Sequence, residues 1–356
     1  MKFNYKAVLG IAVSLLLLWW ALRDVSFAEV VFHIRNADPL YFALAIAVAT
    51  SGLAVRALRW ATLLRPVARQ VPFRPRYAAV SVGFAANNLL PARMGELARI
   101  FTLSRLTGIP VGSVVGSLVM ERVFDGVAVV GLLFAAMAYP GFPAMNLVGG
   151  MDPRVAARAV GIGTGILGVT LFVLALAPER SVAVIDRVAG RLLPERLRRP
   201  LVEALRSFLG GLGVLRDPGL FLVSLAWALA QWSFLALSSL FAFRAFGITQ
   251  VPYAGAVFLQ SLVSLAVSIP SSPGFFGPFE AASKLGLGLW GVPAGRAVSF
   301  AIGFHIGGFI PVTLIGLYYL WKLNLRWSDV EHSGEAVEEA IEAEPLPLTG
   351  SGGRRG

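Results

Sequence analysis

Apolar residues run through this chain in stretches long enough to cross a bilayer, and polar residues gather in short intervals between them. Unbroken runs cover 7–22, 40–64, 111–139, 155–177, 220–246 and 294–321. A hydrocarbon core about 30 Å thick needs roughly 20 helical residues, so each run reads as one full span. Two further runs, 77–107 and 253–290, are interrupted near the middle by proline and glycine. The first break reads Asn87-Asn88-Leu89-Leu90-Pro91-Ala92-Arg93-Met94-Gly95-Glu96. The second reads Ile269-Pro270-Ser271-Ser272-Pro273-Gly274-Phe275-Phe276-Gly277-Pro278-Phe279-Glu280. Proline cannot continue the helical ladder and glycine tolerates tight turns, so each segment becomes two half-length helices.

The two breaks share one plan. Pro91 precedes Gly95, and Pro273 precedes Gly277, by four residues. Gly108-Ile109-Pro110 and Gly291-Val292-Pro293 then follow at nearly the same interval, each leading into a long apolar helix. Irregular backbone persists at membrane depth only against protein or a wet cavity. Paired interruptions of this kind build the transport sites of secondary transporters.

Composition agrees with the pattern. The chain is 56% hydrophobic and 14% charged, a balance that describes a polytopic membrane protein. It has no cysteine, which excludes disulfides, thiol nucleophiles and thiolate-bound metals. His33, His305 and His332 are scattered and give no zinc set, so no cofactor is expected. The net charge of +11 is strongly basic even though residues 328–356 carry seven acids against two arginines. No aromatic-basic module accompanies the charge, so nucleic acid is not an expected partner. At the N-terminus, Trp19, Trp20 and Arg23-Asp24 precede Ser26-Phe27-Ala28, which favours a retained span over a cleaved signal.

Loop charge orients the spans. Residues 65–76 hold four arginines and residues 178–218 hold eight. With six crossings and two returning hairpins, both loops and both termini fall on the cytoplasmic face. If the broken segments crossed, the two basic loops would lie on opposite faces, against the positive-inside rule. The expectation is therefore an all-α polytopic membrane protein of six full spans plus two re-entrant helical hairpins in inverted-topology repeats. Repeat one covers about 77–139 and repeat two about 253–321, within a membrane domain 1–327. An acidic, disordered tail follows at 328–356. In the 178–218 connection, Leu197, Leu201, Leu205, Phe208 and Leu212 recur at helical spacing among arginines. That stretch lies either along the cytoplasmic interface or on the protein's own loops.

Ionisable groups in the spans mark the candidate site, since a charge near a helix centre costs about 3 kcal/mol or more in lipid. Glu121, Arg122 and Asp125 lie together in the third span, with Glu121 about 17 Å from Pro110 and so close to the midplane. They either neutralise one another as a staple or serve a substrate or coupling ion. In the second repeat His305 takes the place of Arg122, each 12 residues after its proline, and Gly307-Gly308 replace Phe124-Asp125. The hairpins add Arg93, Glu96 and Arg99, then Glu280 and Lys284. Glu96–Arg99 and Glu280–Lys284 have helical pairing intervals. Alternatively, half-helix starts after Pro91 and Pro273, with the glycines Gly95, Gly274 and Gly277, point free amides at an anion such as phosphate. Ser271, Ser272, Asn87 and Asn88 add polar groups at the tips, and Pro270 completes the second break. Arg56 and Arg59, beside Trp60, either snorkel at the cytoplasmic end of the second span or receive a lipid phosphate there.

Four motifs in order carry a resemblance: Arg56-Ala57-Leu58-Arg59-Trp60 with Leu63-Leu64, Asn88 to Arg99, Glu121 to Asp125, and Ile269 to Glu280. Over residues 5–325 the chain resembles the flippase-like membrane domain of lysylphosphatidylglycerol synthases. In those synthases a soluble aminoacyl-transferase domain follows, and in an archaeal branch a glycosyltransferase domain accompanies it. Only residues 328–356 follow here, so a stand-alone, non-enzymatic member is expected. The resemblance implies alternating-access movement of a phosphate-bearing lipid or lipid-linked glycan between leaflets of the inner (plasma) membrane. His305 departs from the arginine expected at its position, which leaves a proton-linked carrier open beside a passive scramblase. An accessory subunit or scaffold of a lipid- or glycan-modifying enzyme is the other reading. The expected partners are anionic phospholipid or lipid-linked sugar, with a second copy or a separate lipid-modifying enzyme as protein partner. In this cysteine-free chain, a single cysteine at Ala204 should resist an impermeant thiol reagent added outside cells, and one at Ala294 should react; the reverse pattern would overturn the topology.

Overall fold

The computed structural model describes residues 5–90, 94–143, 177–192, 195–269 and 271–325, with single positions between 162 and 174 and between 333 and 337. The described regular elements are all helical. The first half contains α1 (Tyr5–Leu22), α2 (Phe27–Arg35), α3 (Pro39–Leu64), α4 (Phe73–Leu89), α5 (Gly95–Thr107) and α6 (Val111–Met137). After α7 (Pro178–Leu192) and α8 (Glu195–Gly211), a 3-10 turn leads into α9 (Pro218–Ala245). The chain continues through α10 (Tyr253–Ala266), a 3-10 turn at Pro273–Phe275, α11 (Pro278–Gly288) and α12 (Ala294–Lys322). The expected span over 155–177 and the tail at 328–356 lie almost wholly outside the described residues.

Local chemistry sets the boundaries. Asp38 accepts from the amides of Leu40 and Tyr41 at 2.9 and 3.0 Å, with Pro39 in the first turn of α3. Asp217 does the same for Leu220 at the start of α9, beside Pro218. Such caps satisfy amides that the helix leaves free. α5 ends at Gly108 and α11 is followed by Gly291, with φ of 69° and 68°, a conformation that glycine adopts without strain. The sequence pattern missed α2, which turns 80° away from α1 just past the first apolar run.

Both broken segments fold back on themselves. A Cβ on Gly83 of α4 would lie 3.0 Å from the Cβ of Arg99 on α5, and one on Gly286 of α11 would lie 2.8 Å from Leu259 on α10. Close contacts centred on the breaks mean antiparallel arms in each pair. α12 packs along α4, and α3 along α9, so both pairs sit inside one bundle. α1 lies on the second pair, where Gly10 approaches Ser271 and Ser14 approaches Gly277.

The loops gather at two ends. At one end Pro66 and Val67 meet Gly213 and Gly210, and Ser113 donates to the Ser207 carbonyl at 3.2 Å, which puts both arginine-rich segments together. At the other, the Asp38 amide donates to the Ala245 carbonyl at 2.8 Å, and Phe142 packs on Phe258 and Trp290. Of the two readings of the 178–218 connection, packing on the protein fits α8: Gly116 and Gly211 bring it against α6, and Leu209 and Leu212 are buried. Large apolar side chains such as Leu15, Trp19, Leu40, Leu222, Leu314 and Trp321 stay exposed on the bundle's outside. Apolar surface on that scale needs lipid.

A Cβ on Gly95 would overlap the Gly83 carbonyl and the Asn87 side chain, while nothing lies within 4 Å of one on Gly131. Gly95→Ala should therefore lower stability by about 1–3 kcal/mol in a detergent unfolding assay, and Gly131→Ala should not.

Candidate functional site

The densest polar cluster is built around α6. Glu121 is fully buried and accepts two hydrogen bonds from Arg99 of α5, at 2.8 and 2.7 Å. Its Oε1 also accepts from Arg56 of α3 at 2.8 Å. One turn on, Asp125 accepts from Arg59 of α3 and from the Trp232 indole of α9, the latter at 3.0 Å. The Arg99 guanidinium lies 3.8 Å over the Trp60 ring, and that indole donates to Ser117 at 3.0 Å. Every buried charge here has an opposite partner, as a low dielectric demands.

Arg122 differs. It contacts Glu96 of α5 at 3.2 Å, yet its side chain is 45% exposed and that of Glu96 40%. Both line a cleft of about 340 Å³ between the two broken segments. α4 and α5 contribute Asn87 and Gly95, α10 and the turn after it contribute Ser264 and Ser268, and Phe275 comes from the second break. Arg56, Arg99, Asp125 and Trp232 form the wall behind them. Among the described residues of the cluster, Arg56, Arg59, Arg99 and Arg122 face Glu96, Glu121 and Asp125. One positive charge remains, and Arg122 is the arginine that presents it to the open space.

Several sequence expectations change. Arg56 and Arg59 are 7% and 0% exposed and bound to carboxylates, so they neither snorkel nor wait at a cytoplasmic entrance. The intervals Glu96–Arg99 and Glu280–Lys284 do not become pairs. Arg99 chooses Glu121, Glu96 chooses Arg122, Glu280 contacts His305, and Lys284 bonds Asp24 at 3.2 Å. The Lys284 ammonium holds the Asp24 carboxyl below its usual range.

Three of the amides at the two breaks are engaged. The Gly95 amide donates to Asn87 at 2.9 Å, that of Ser272 to Ser14 at 2.7 Å, and that of Gly277 to Glu280 at 2.6 Å. Asn88 donates to Thr313 at 2.8 Å, and the Ser272 hydroxyl to the Phe276 carbonyl at 3.2 Å. His305 of α12 bonds both Glu280 and the Gly274 carbonyl. The Ser271 hydroxyl is buried without a hydrogen bond. Pro273 opens the 3-10 turn; Pro91, Arg93 and Pro270 lie outside the described residues. Sequence reasoning missed Trp232 and Trp60, because an indole in an apolar run reads as an interfacial anchor until its partner is known.

The profile of the family described as "Lysylphosphatidylglycerol synthase TM region" matches residues 7–316. The chain belongs to this family. A UPF0104 membrane protein of Methanothermobacter thermautotrophicus is 26% identical over 329 residues, 90% of this chain and 93% of that protein. Glycosyltransferase AglD of Haloferax volcanii is 24% identical over 302 residues, covering 77% of this chain but only 47% of the relative. A UPF0104 membrane protein of Pyrococcus horikoshii is 25% identical over 142 residues, 39% of this chain and 41% of its own length. No solved structure matches. As a family member the chain is an integral membrane protein, and its charged cluster lies within the matched region.

Removing Arg99 takes two of its three hydrogen bonds from a buried carboxylate, whereas Arg122 is half exposed and no closer than 3.2 Å to its carboxylate neighbours. Arg99→Ala should therefore cost about 3–5 kcal/mol of stability and Arg122→Ala about 1 kcal/mol or less, by unfolding in detergent.

Proposed function

We propose that the chain moves a lipid with a phosphate-bearing head between leaflets, by alternating access around the cleft. The observation that carries this reading is Arg122. It is a cation held half open in a membrane-embedded cleft whose other arginines are already neutralised. A cleft of about 340 Å³ suits a polar headgroup, and acyl chains would remain in the surrounding lipid. The Arg122 fork would bind the phosphate, with the Asn87 amide and the Ser264 and Ser268 hydroxyls beside it. Glu96 competes with the headgroup for Arg122 and would release it on the far side.

In this reading the two fold-back pairs are re-entrant hairpins entering from opposite faces, related by a two-fold axis in the membrane plane. Six spans surround them. Both arginine-rich segments and both termini face the cytoplasm, and the membrane is the plasma membrane. The antiparallel contacts within each pair and the gathering of both basic segments at one end support that arrangement. Rocking of one hairpin against the other would switch access. The likeness to Glycosyltransferase AglD, of which this chain spans about half, supports a lipid-linked glycan as cargo beside anionic phospholipid. The chain itself acts as a carrier rather than as a transferase.

Reconstituted vesicles test this directly, with labelled anionic phospholipid and a polyprenyl-linked sugar as probes. Arg122→Ala should slow leaflet exchange by about tenfold or more, the worth of one charge-assisted bond, while the protein stays folded. Unchanged exchange in a folded Arg122→Ala protein would sink the site.

A further inference from the structure

The two repeats end in the same kind of contact. In the first, Glu96 of α5 meets Arg122 of α6 at 3.2 Å, open to the cleft. In the second, Glu280 of α11 meets His305 of α12 at 2.6 Å, and the side chains are 1% and 11% exposed. Arg122 and His305 stand equally far from their prolines, and each glutamate lies in the first turn of its returning helix. Repeat one uses a permanent cation. Repeat two uses an imidazole.

The bonds around that imidazole count its protons. Nδ1 lies 2.6 Å from Glu280 Oε1, and Nε2 lies 2.8 Å from the Gly274 carbonyl oxygen. A carbonyl only accepts, so Nε2 carries a hydrogen. An ionised carboxylate also only accepts, so Nδ1 then needs a hydrogen too and the ring is a cation. If the ring is neutral, the hydrogen between Nδ1 and Oε1 belongs to a protonated Glu280. An ionised Glu280 beside a neutral ring cannot make both contacts, because two acceptors would face each other at one of them. Both arrangements that fit hold the same extra proton.

Nothing else on the packed elements supplies that charge among the contacts described. Lys284, one turn along α11, donates to Asp24 and to the Trp20 and Ala21 carbonyls. Glu29 and His33 of α2 face each other at 3.9 Å, and Arg296 of α12 donates to the Gly247 carbonyl. α3 presents Phe42 and Ile46 to Gly307, and α4 presents Asn88 to Thr313. The Phe276 and Phe279 rings flank the imidazole at 4.6 and 4.3 Å.

We infer that Glu280 and His305 form a proton-binding site, and that the bound proton fastens the tip of the second hairpin to α12. The tip is conformationally tense at Phe275, a residue with a side chain at φ 62°, next to Gly274 at φ 70°, which glycine adopts freely. His305 holds the Gly274 carbonyl, and the next residue, Phe275, lines the cleft. Loss of the proton to water sets acceptor against acceptor, frees that carbonyl and lets Phe275 leave the cleft wall. The proton site stands on its own bonds; its link to lipid movement rests on the transport reading above.

Two measurements test it without a transport assay. In protein labelled with 15N-histidine, His305 signals are identified by their loss in His305→Gln and followed from about pH 5 to about pH 9, across the range in which histidine ionises. At the acid end Nε2 should be protonated and Nδ1 should share a hydrogen with Glu280; raising the pH should strip the hydrogen from Nε2 while Nδ1 keeps its bond to the carboxylate, and Glu280→Gln should change the transition. Separately, Ser271→Cys places a thiol at the buried hydroxyl of the tip. Its labelling by an impermeant reagent should rise several-fold with pH relative to the same cysteine in His305→Arg, whose fixed charge keeps the tip closed. A neutral ring with no shared hydrogen at any pH, or identical labelling profiles with histidine and arginine, would overturn the proposal. Exchange that ignores pH while both measurements succeed would remove only the coupling to lipid.

Discussion

Glu121 is the residue around which the first half of the bundle is arranged. Its carboxylate sits in the middle of α6 with no exposure, and a lone charge there would be prohibitively costly. Arg99 and Arg56 reach it from two other helices, so α3, α5 and α6 can adopt only a register that brings the three side chains together. The neighbours fix that register further. Trp60 covers the Arg99 guanidinium and is itself held by Ser117. Arg76 of α4 donates to the Ala57 carbonyl of α3, tying the other arm of the same hairpin to the same helix. A buried network satisfied at so many points resists rearrangement, because moving one member strands the others.

The second half has no counterpart of that network among the described residues. Its hairpin is packed by Phe258, Leu259, Leu287 and Phe300, and its polar ties are the Glu280–His305–Gly274 group and the contacts from α1. Apolar contacts slide more readily than bidentate ion pairs, since they lack a preferred direction. The two fold-back pairs thus differ in how they are held: the first is bolted to the bundle by charge, and the second is held by packing and the Glu280–His305–Gly274 contacts. In an alternating-access cycle, that difference makes the second hairpin the natural moving part.

Most of the helices were legible in the sequence because apolar length, proline and capping acids are local signals. The runs starting at 40, 111, 220 and 294 became α3, α6, α9 and α12 with shifts of at most two residues at their starts. α2 was not legible, since Phe27 to Arg35 is too short and mixed to stand out beside the spans. Candidate site residues were found by rarity, as charges in apolar surroundings, and most of them do cluster. Their pairings were not found. Glu96 and Arg99 lie at a helical interval, yet a buried carboxylate on another helix wins Arg99 because its desolvation is the larger penalty. Interval arguments see only one helix at a time.

The same reasoning moves the proposed anion site. Half-helix starts have free amides that attract phosphate in many proteins, but here Asn87 and Glu280 already accept from the amides of Gly95 and Gly277. An amide engaged by a neighbouring side chain offers nothing to a ligand until that side chain leaves. Once these donors and the three neutralised arginines are set aside, Arg122 is left with a half-exposed guanidinium, Glu96 nearest to it at 3.2 Å and Asp125 and Glu121 farther off at 3.6 and 3.7 Å. A cargo phosphate would have to displace one half-exposed carboxylate, a modest opposition because that pair is already partly hydrated. A site that binds by displacing its own counter-ion can also release by taking it back. That is the property a carrier needs, since cargo held only by buried, unopposed charge would have no favourable route out.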